Sequence, residues 1–106
     1  MSDSNIIKAA AVGKYCIIRG RSFGVFAGTV EEVDDTCILV KNARRLWYWD
    51  GAASISQIAV EGVTAPQNCK FSMAVESIVL RDYIEIIPAT EQAQKSVEGV
   101  KVWKRQ

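Results

Sequence analysis

Short runs of hydrophobic residues, bounded by polar and turn-forming residues, recur along the chain between residues 14 and 49, which is typical of β-strands. The segments rich in β-branched and aromatic residues cover residues 14–19, 23–30, 36–41 and 43–49. Asp34-Asp35 is a turn signal, because Asp accepts turn geometry and bonds its own backbone. Gly24 and Gly28 indicate bends or a close approach of two backbones. The pattern predicts an antiparallel meander of four strands.

Two short helices are predicted in the second half of the chain. Ser54 followed three residues later by Gln57 is a capping-box pattern, in which each side chain satisfies a free backbone N–H at the helix start. Thr90 precedes Glu91, an acidic residue that favours the first turn of a helix, and Gly99 supplies a terminating residue. Each pattern therefore marks a helix of about two turns.

The remaining segments extend the predicted sheet. Residues 71–80 alternate in polarity, with a break near residues 76 and 77, and residues 82–87 predict another strand. The tail from residue 100 alternates apolar and basic residues, which predicts an edge strand. Residues 1–13 are predicted to form an N-terminal arm and residues 14–106 a single α+β domain. Its expected architecture is a curved antiparallel sheet or a small β-barrel with two short helices.

The charges of the chain are almost balanced, with 13 Lys and Arg against 12 Asp and Glu and a net charge of +1. Such a balance supplies no overall field for duplex DNA or for an anionic membrane, so any charge-based recognition must come from local clusters. The polar start does not resemble a secretory signal, and no apolar run reaches the ~18 residues of a membrane span. We expect a cytoplasmic protein that binds neither duplex nucleic acid nor membranes.

The residue types used in common catalytic sites are sparse. The sequence contains no histidine, which removes Ser-His and Cys-His nucleophiles and most zinc sites. Cys16, Cys37 and Cys69 are widely spaced and lack a CxxC pair, so we expect reduced thiols and no cofactor. Magnesium chemistry on carboxylates alone stays open, although the spacing of the acidic residues does not favour it. The composition indicates binding rather than catalysis.

Residues 42–49 concentrate arginine and aromatic side chains, with two Arg and three aromatic residues in eight positions. Arginine binds phosphate oxygens in pairs, and aromatic rings stack on bases. In a strand, Arg45, Trp47 and Trp49 project to one side, and Arg44 and Tyr48 project to the other. Arginines on both faces favour a ligand site, an acidic neighbour or a subunit contact. The alternative interpretation places Leu46 and Trp47 in the core and lets Tyr48 and Trp49 line the sheet, with the arginines lying across its surface.

Three further residues complete the predicted site. The helix that Ser54 and Gln57 open would present free N–H groups and a positive dipole end beside the aromatic strand, with plain capping as the alternative. Lys70 would extend a basic pocket, although single surface lysines are usually only solvated. The predicted ligand-binding residues are Arg44, Arg45, Trp47, Tyr48, Trp49, Ser54, Gln57 and Lys70. No catalytic or metal-binding residue is predicted.

Five stretches of the sequence carry a likeness to a known family. They are residues 41–52, with Arg-Arg-Leu-Trp-Tyr-Trp at 44–49, and residues 54–57, 61–62, 68–71 and 84–88. In these stretches the chain resembles a family of small phage and prophage proteins of unknown function. The resemblance implies a phage-borne accessory protein of the bacterial host cytoplasm, and it carries over no catalytic residues.

Some small phage proteins act by sequestration, as oligomeric sponges that capture the nucleotide signals of bacterial defence systems such as CBASS and Thoeris. The resemblance therefore implies a homo-oligomer that evades host immunity by holding a small nucleotide without cleaving it. A cyclic dinucleotide is the best guess, because it offers two bases to stack on and two phosphates to clamp. The rival hypothesis is a protein-binding or structural module whose aromatic-basic strand forms a subunit or host-protein interface.

Overall fold

The computed structural model describes the backbone of residues 3–105, and the side chains from residue 5 onward. Its elements, in chain order, are α1 (Asp3–Ala11), β1 (Tyr15–Gly20), β2 (Val25–Val33), β3 (Cys37–Tyr48), α2 (Ile55–Glu61), a 3-10 turn (Pro66–Asn68), β4 (Lys70–Phe71), β5 (Val75–Arg81), β6 (Tyr83–Pro88) and α3 (Glu91–Glu98). The predicted α+β class is confirmed. None of the helices within the described range is long and apolar enough to span a membrane.

The strands form one curved antiparallel sheet with the order β4-β3-β2-β1-β6. Strand β5 pairs with the first part of β3, on the same edge as β4. Asp82, with a φ of 57°, connects β5 directly to β6, so the two edges of the sheet are joined at one corner. The paired strands of residues 3–105 do not close into a barrel, and the curved-sheet form of the prediction is the one observed.

Strand β3 is a single strand of 12 residues, whereas the sequence predicted two strands divided at Asn42. Asn42 has a φ of 51°, which resembles a turn residue, but here it forms a bulge inside the strand. The register shifts opposite Gly28, where Thr29 pairs with Lys41 and Ala27 pairs with Arg44. A Cβ at Gly28 would lie 2.9 Å from the Lys41 carbonyl oxygen and 3.1 Å from the Ala43 Cα, so the predicted close backbone approach is confirmed.

Three other boundaries differ from the prediction. The chain leaves the sheet at residues 72–74 rather than at 76 and 77, because the Ser72 hydroxyl accepts the Arg45 N–H at 2.8 Å. The tail makes one parallel bridge, between Phe71 and Val102, instead of an edge strand. The predicted arm contains α1, whose Ala11 is buried, and residues 1 and 2 of that arm lie outside the described range.

Both predicted helix starts are confirmed. The Ser54 hydroxyl accepts the Gln57 N–H at 3.2 Å, and the Thr90 hydroxyl accepts the Ala93 N–H at 3.0 Å. The Gln57 side chain accepts the N–H of Ala53 at 2.7 Å, one residue before the position that a capping box predicts. The side chains thus satisfy backbone donors that the first helical turn leaves free.

The sheet is buried on both faces, because the side chains of each central strand alternate between two cores. On one face, Ile17, Leu46 and Phe71 pack with Ile58 of α2 and Val97 of α3. We call this the helix-side core. Its members come from elements far apart in sequence, so the helices are held by packing against the sheet rather than by their own short length.

The second core lies on the other face and includes Ala11 of α1. Its largest members are Ile18, Phe26 and Ile38. Cys16 belongs to this core and is free, and its burial raises the pKa of the thiol to about 11. The thiol therefore stays protonated and acts as a small apolar side chain. Cys37 and Cys69 are also free, as predicted.

We expect Tyr15→Phe to leave the free energy of unfolding unchanged or to raise it by about 1 kcal/mol. Tyr15 is 6% exposed, and its hydroxyl has no hydrogen-bond partner among the described residues, so folding removes the group from water without replacing its bonds. Burial also raises the pKa of this phenol. Urea unfolding would measure the change. Tyr83→Phe is the control and should destabilise, because the Tyr83 hydroxyl donates to the Asp34 carbonyl. A clear loss of stability in Tyr15→Phe would contradict the prediction.

Candidate functional site

Arg44 lies in the core and holds backbone carbonyls. It is 5% exposed. Its Nε donates to the Ser72 carbonyl at 2.8 Å, and its Nη1 donates to the Val97 and Val100 carbonyls, each at 2.9 Å. Its Nη2 donates to the Phe71 carbonyl at 3.3 Å. Four hydrogen bonds thus join β3 to β4, to the end of α3 and to the chain beyond it.

This placement corrects the expectation that Arg44 faces a ligand. Burial lowers the pKa of its guanidinium, but an arginine stays charged in proteins, and here carbonyl dipoles surround the charge. Two of its acceptors lie at the C-terminal end of α3, where the helix dipole favours a cation. Arg44 is therefore a structural residue, and we leave it out of the candidate site.

Arg45, Trp47 and Trp49 come together as the strand alternation predicted. They line one cavity of about 410 Å³ with Leu46, with residues 22–24 of the β1–β2 connection and with Val25 at the start of β2. Arg45 and Trp47 belong to β3, and Trp49 follows its last residue. We call this space the Arg45 cavity. It unites a cation and two indole rings, which is the combination that binds anions with a planar part.

The Arg45 guanidinium is oriented by its neighbours without being neutralised. Its Cζ lies 4.4 Å from the centroid of the Phe26 ring, and its Nη1 donates to the Phe23 carbonyl. Nε and Nη2 have no hydrogen-bond partner among residues 3–105, and no described carboxylate forms an ion pair with this group. The charge and part of its donor set are thus left for an anion.

The two tryptophans of the cavity differ in burial. Trp47 is 63% exposed, so the interpretation that places it in the core is wrong for this ring. Trp49 is partly buried and packs against the helix-side core. Trp47 therefore offers a free ring face, while Trp49 forms a more rigid wall.

Tyr48 and Lys70 lie on a different surface from the Arg45 cavity. They are cross-strand neighbours on β3 and β4. The Lys70 Nζ lies 6.0 Å from the Tyr48 ring centroid and 5.5 Å from that of Trp103. The sequence analysis did not include Trp103 in the site. Its only signal was the alternation of apolar and basic residues in the tail, which suggested a strand rather than a ring beside Lys70.

Ser54 and Gln57 act as caps of α2 and are not joined to the cavity. Within the described residues, Ser54 bonds only at the helix start. Gln57 bonds the Ala53 N–H and donates from Nε2 to the Glu61 carboxylate at 3.0 Å. The polar groups of both side chains are therefore engaged locally, in agreement with the plain-capping alternative.

A larger cavity, of about 720 Å³, lies elsewhere, between α1, the β2–β3 hairpin and β5. Its rim carries Glu31, Glu32 and Asp34. Asp34 accepts the N–H groups of Thr36 and Cys37, each at 2.8 Å, and these bonds lower the pKa of its carboxyl. That carboxylate is therefore engaged in the hairpin turn.

The described residues contain no cluster of three or more His, Cys, Asp or Glu that would hold a metal ion.

Comparison with known proteins gives one family. A family model described as a domain of unknown function (DUF6948) matches residues 13–97. The chain therefore belongs to this family, and the match covers the whole sheet and most of α3. No curated protein and no solved structure matches the chain.

We expect Arg44→Met to lower the free energy of unfolding by about 3 kcal/mol, because it removes four hydrogen bonds from a charged donor to backbone carbonyls. Arg44→Lys should fall between Met and the parent, since an ammonium keeps the charge but lacks the planar fork. Arg45→Met is the control and should cost less, because Arg45 is only half-buried. Chemical unfolding of the three variants would test the order. Equal losses at positions 44 and 45 would contradict it.

Proposed function

We propose that this member of the DUF6948 family binds a small anionic nucleotide in the Arg45 cavity and holds it without cleaving it. The observation that carries the proposal is an arginine without a carboxylate partner among the described residues, beside an indole that is 63% exposed. The guanidinium suits a phosphate and the Trp47 face suits a base. A cyclic dinucleotide is the first candidate.

The size of the cavity supports a ligand of this class. Pockets for small molecules usually measure about 300–1,000 Å³, and the Arg45 cavity has about 410 Å³. Its walls are mostly apolar, with one cation to orient the ligand. This is the usual composition of a site in which apolar contact supplies affinity and a few polar groups supply specificity.

The symmetry of a cyclic dinucleotide also supports the proposal of a homo-oligomer. The ligand has two bases and two phosphates, whereas each chain offers one Arg45 beside one Trp47 in this cavity. Two copies related by a two-fold axis would supply the same pair to both halves of a symmetric ligand. Ligand binding and pairing of the copies would then support each other.

The sequence resemblance supports the biological part of the proposal. Small phage proteins with the Arg-Arg-Leu-Trp-Tyr-Trp motif at 44–49 would reside in the cytoplasm of the bacterial host. There a protein that sequesters a cyclic dinucleotide removes the signal of a CBASS-type defence. Tight binding is sufficient for this role, and turnover is not required.

A second candidate function is a protein interface. Trp47 and Tyr48 are 63% and 52% exposed, and large aromatic residues on a surface are frequent centres of interfaces. In this alternative, Trp47 inserts into a partner subunit or a host protein. Arg45 would then pair with an acidic residue of that partner.

We expect a panel of cyclic di- and trinucleotides and ADP-ribose derivatives to contain one ligand that raises the melting temperature, because a ligand that binds only the folded state stabilises it by mass action. Arg45→Ala should weaken the binding of that ligand and reduce the salt dependence of binding. Trp47→Ala should lower the affinity by about 1–3 kcal/mol with little change in salt dependence. Arg81→Ala, an exposed arginine on β5, is the matched charge control.

The result that contradicts the proposal is a panel without a shift. A shift that survives both Arg45→Ala and Trp47→Ala would move the ligand to another site. In either case, the protein-interface function becomes the leading one. Size-exclusion chromatography with light scattering at each step shows whether the variants change the oligomeric state instead.

We also expect the ligand to be released unchanged. After incubation with Mg²⁺, heat denaturation of the complex should return the intact nucleotide, as read by chromatography and mass. Time-dependent cleavage would contradict sequestration and would direct attention to the carboxylates of the chain. A cyclic dinucleotide phosphodiesterase serves as the positive control for the assay.

A further inference from the structure

A second aromatic and basic surface lies outside the Arg45 cavity. Its members are Tyr48, Lys70, Trp103, Lys104 and Arg105, and we call it the tail surface. The Lys70 ammonium lies within 6.0 Å of the Tyr48 ring centroid and 5.5 Å of the Trp103 ring centroid, so the cation approaches both rings. The rings remain 52% and 51% exposed, which leaves part of each available for stacking.

The backbone fixes the position of this surface. The Trp103 N–H donates to the Phe71 carbonyl at 2.9 Å, and Val102 forms a bridge with Phe71. Phe71 is fully buried, and its carbonyl also accepts from Arg44. The ring of Trp103 is therefore attached to a rigid part of the fold, although it belongs to the tail. A ring held in place loses little entropy when a ligand stacks on it.

The positive charges of the tail surface are not neutralised. No described carboxylate forms an ion pair with Lys70, Lys104 or Arg105, because the ion pairs within residues 5–105 involve other cations. The nearby Asp50 carboxylate accepts the Asn68 amide at 3.0 Å. Trp103, Lys104 and Arg105 also line an open cavity of about 550 Å³. The surface thus combines exposed rings with free cations.

We infer that the tail surface binds single-stranded nucleic acid. Bases of a single strand stack on aromatic rings while lysine and arginine side chains follow the phosphates, and this mode needs no particular sequence. A duplex hides its base faces and offers the rings nothing to stack on. The net charge of +1 gives no long-range attraction, so affinity must come from these local contacts. This site goes beyond the proposed nucleotide cavity and does not depend on it.

The test uses the full chain and a fluorescein-labelled ten-residue oligothymidylate, followed by fluorescence anisotropy at several salt concentrations. Trp103→Ala should weaken binding by about 5- to 150-fold, the effect of losing one base stack. Lys70→Ala should weaken binding and reduce the slope of log K against log salt by about 0.7, the contribution of one phosphate contact. A duplex of the same length should bind more weakly than the single strand.

Trp47→Ala and Arg45→Ala are the matched controls, since each removes the same kind of side chain from the Arg45 cavity. They should leave oligonucleotide binding unchanged while they affect the small-nucleotide assay. Failure of one function is thus distinguished from failure of the other. Melting temperatures identify any variant that does not fold, in which case Arg105→Ala replaces it as the probe of the tail surface.

Three results would overturn the inference. The first is the absence of oligonucleotide binding by the parent protein at low salt. The second is binding that Trp103→Ala and Lys70→Ala both leave intact. The third is equal binding of duplex and single strand with no effect of Trp103→Ala, which would indicate a general attraction of cations to phosphate without stacking.

Discussion

A single buried cation connects parts of this fold that lie far apart in sequence. Arg44 bonds carbonyls 27 to 56 residues away, at the end of β4, at the end of α3 and in the tail. Burying a guanidinium is costly, and it is tolerated only where hydrogen bonds replace water. The planar fork suits this task because its donors diverge in fixed directions toward several acceptors. Without it, β3 would lose its hydrogen bonds to the segments that carry Phe71, Val97 and Val100 of the helix-side core.

The register of β3 determines which of the two arginines is buried in the helix-side core. One extra residue at Asn42 shifts the register against β2, opposite Gly28. Because strand side chains alternate, a shift of one residue exchanges the two faces of every following position. The bulge therefore sends Arg44 into the helix-side core and leaves Arg45 over the Phe26 ring. The local geometry at Gly28 and Asn42 is thus a condition for both the core and the candidate cavity.

Local patterns in the sequence predicted the elements well. Ser54 and Thr90 cap helices, and Asp34 forms the turn between β2 and β3, because each bonds backbone within three residues of itself. The continuity of β3 could not be predicted, since Asn42 has the same left-handed preference in a bulge as in a turn. Such a signal indicates a break in the regular strand geometry but does not distinguish a bulge from a turn.

The candidate site was predictable only in part, for a different reason. Strand alternation correctly grouped Arg45, Trp47 and Trp49. The burial of Arg44 depends on backbone carbonyls, which every residue has, so no side-chain pattern marks its partners. For the same reason Trp103 was missed, because its place beside Lys70 is set by a backbone bond to Phe71.

These contacts give the two surfaces a common support. Arg45 follows Arg44 on β3, and Lys70 precedes Phe71, whose carbonyl receives both Arg44 and the Trp103 N–H. Each of these two cations is thus one residue away from a buried residue of the Arg44 network. The hydrogen-bond donors of Arg44 are satisfied by neutral carbonyls, so no carboxylate is needed near this end of β3 to balance its charge. Arg45 and Lys70 consequently have no ion-pair partner among the described residues, and the proposed binding at both surfaces would depend on the same network that stabilises the fold.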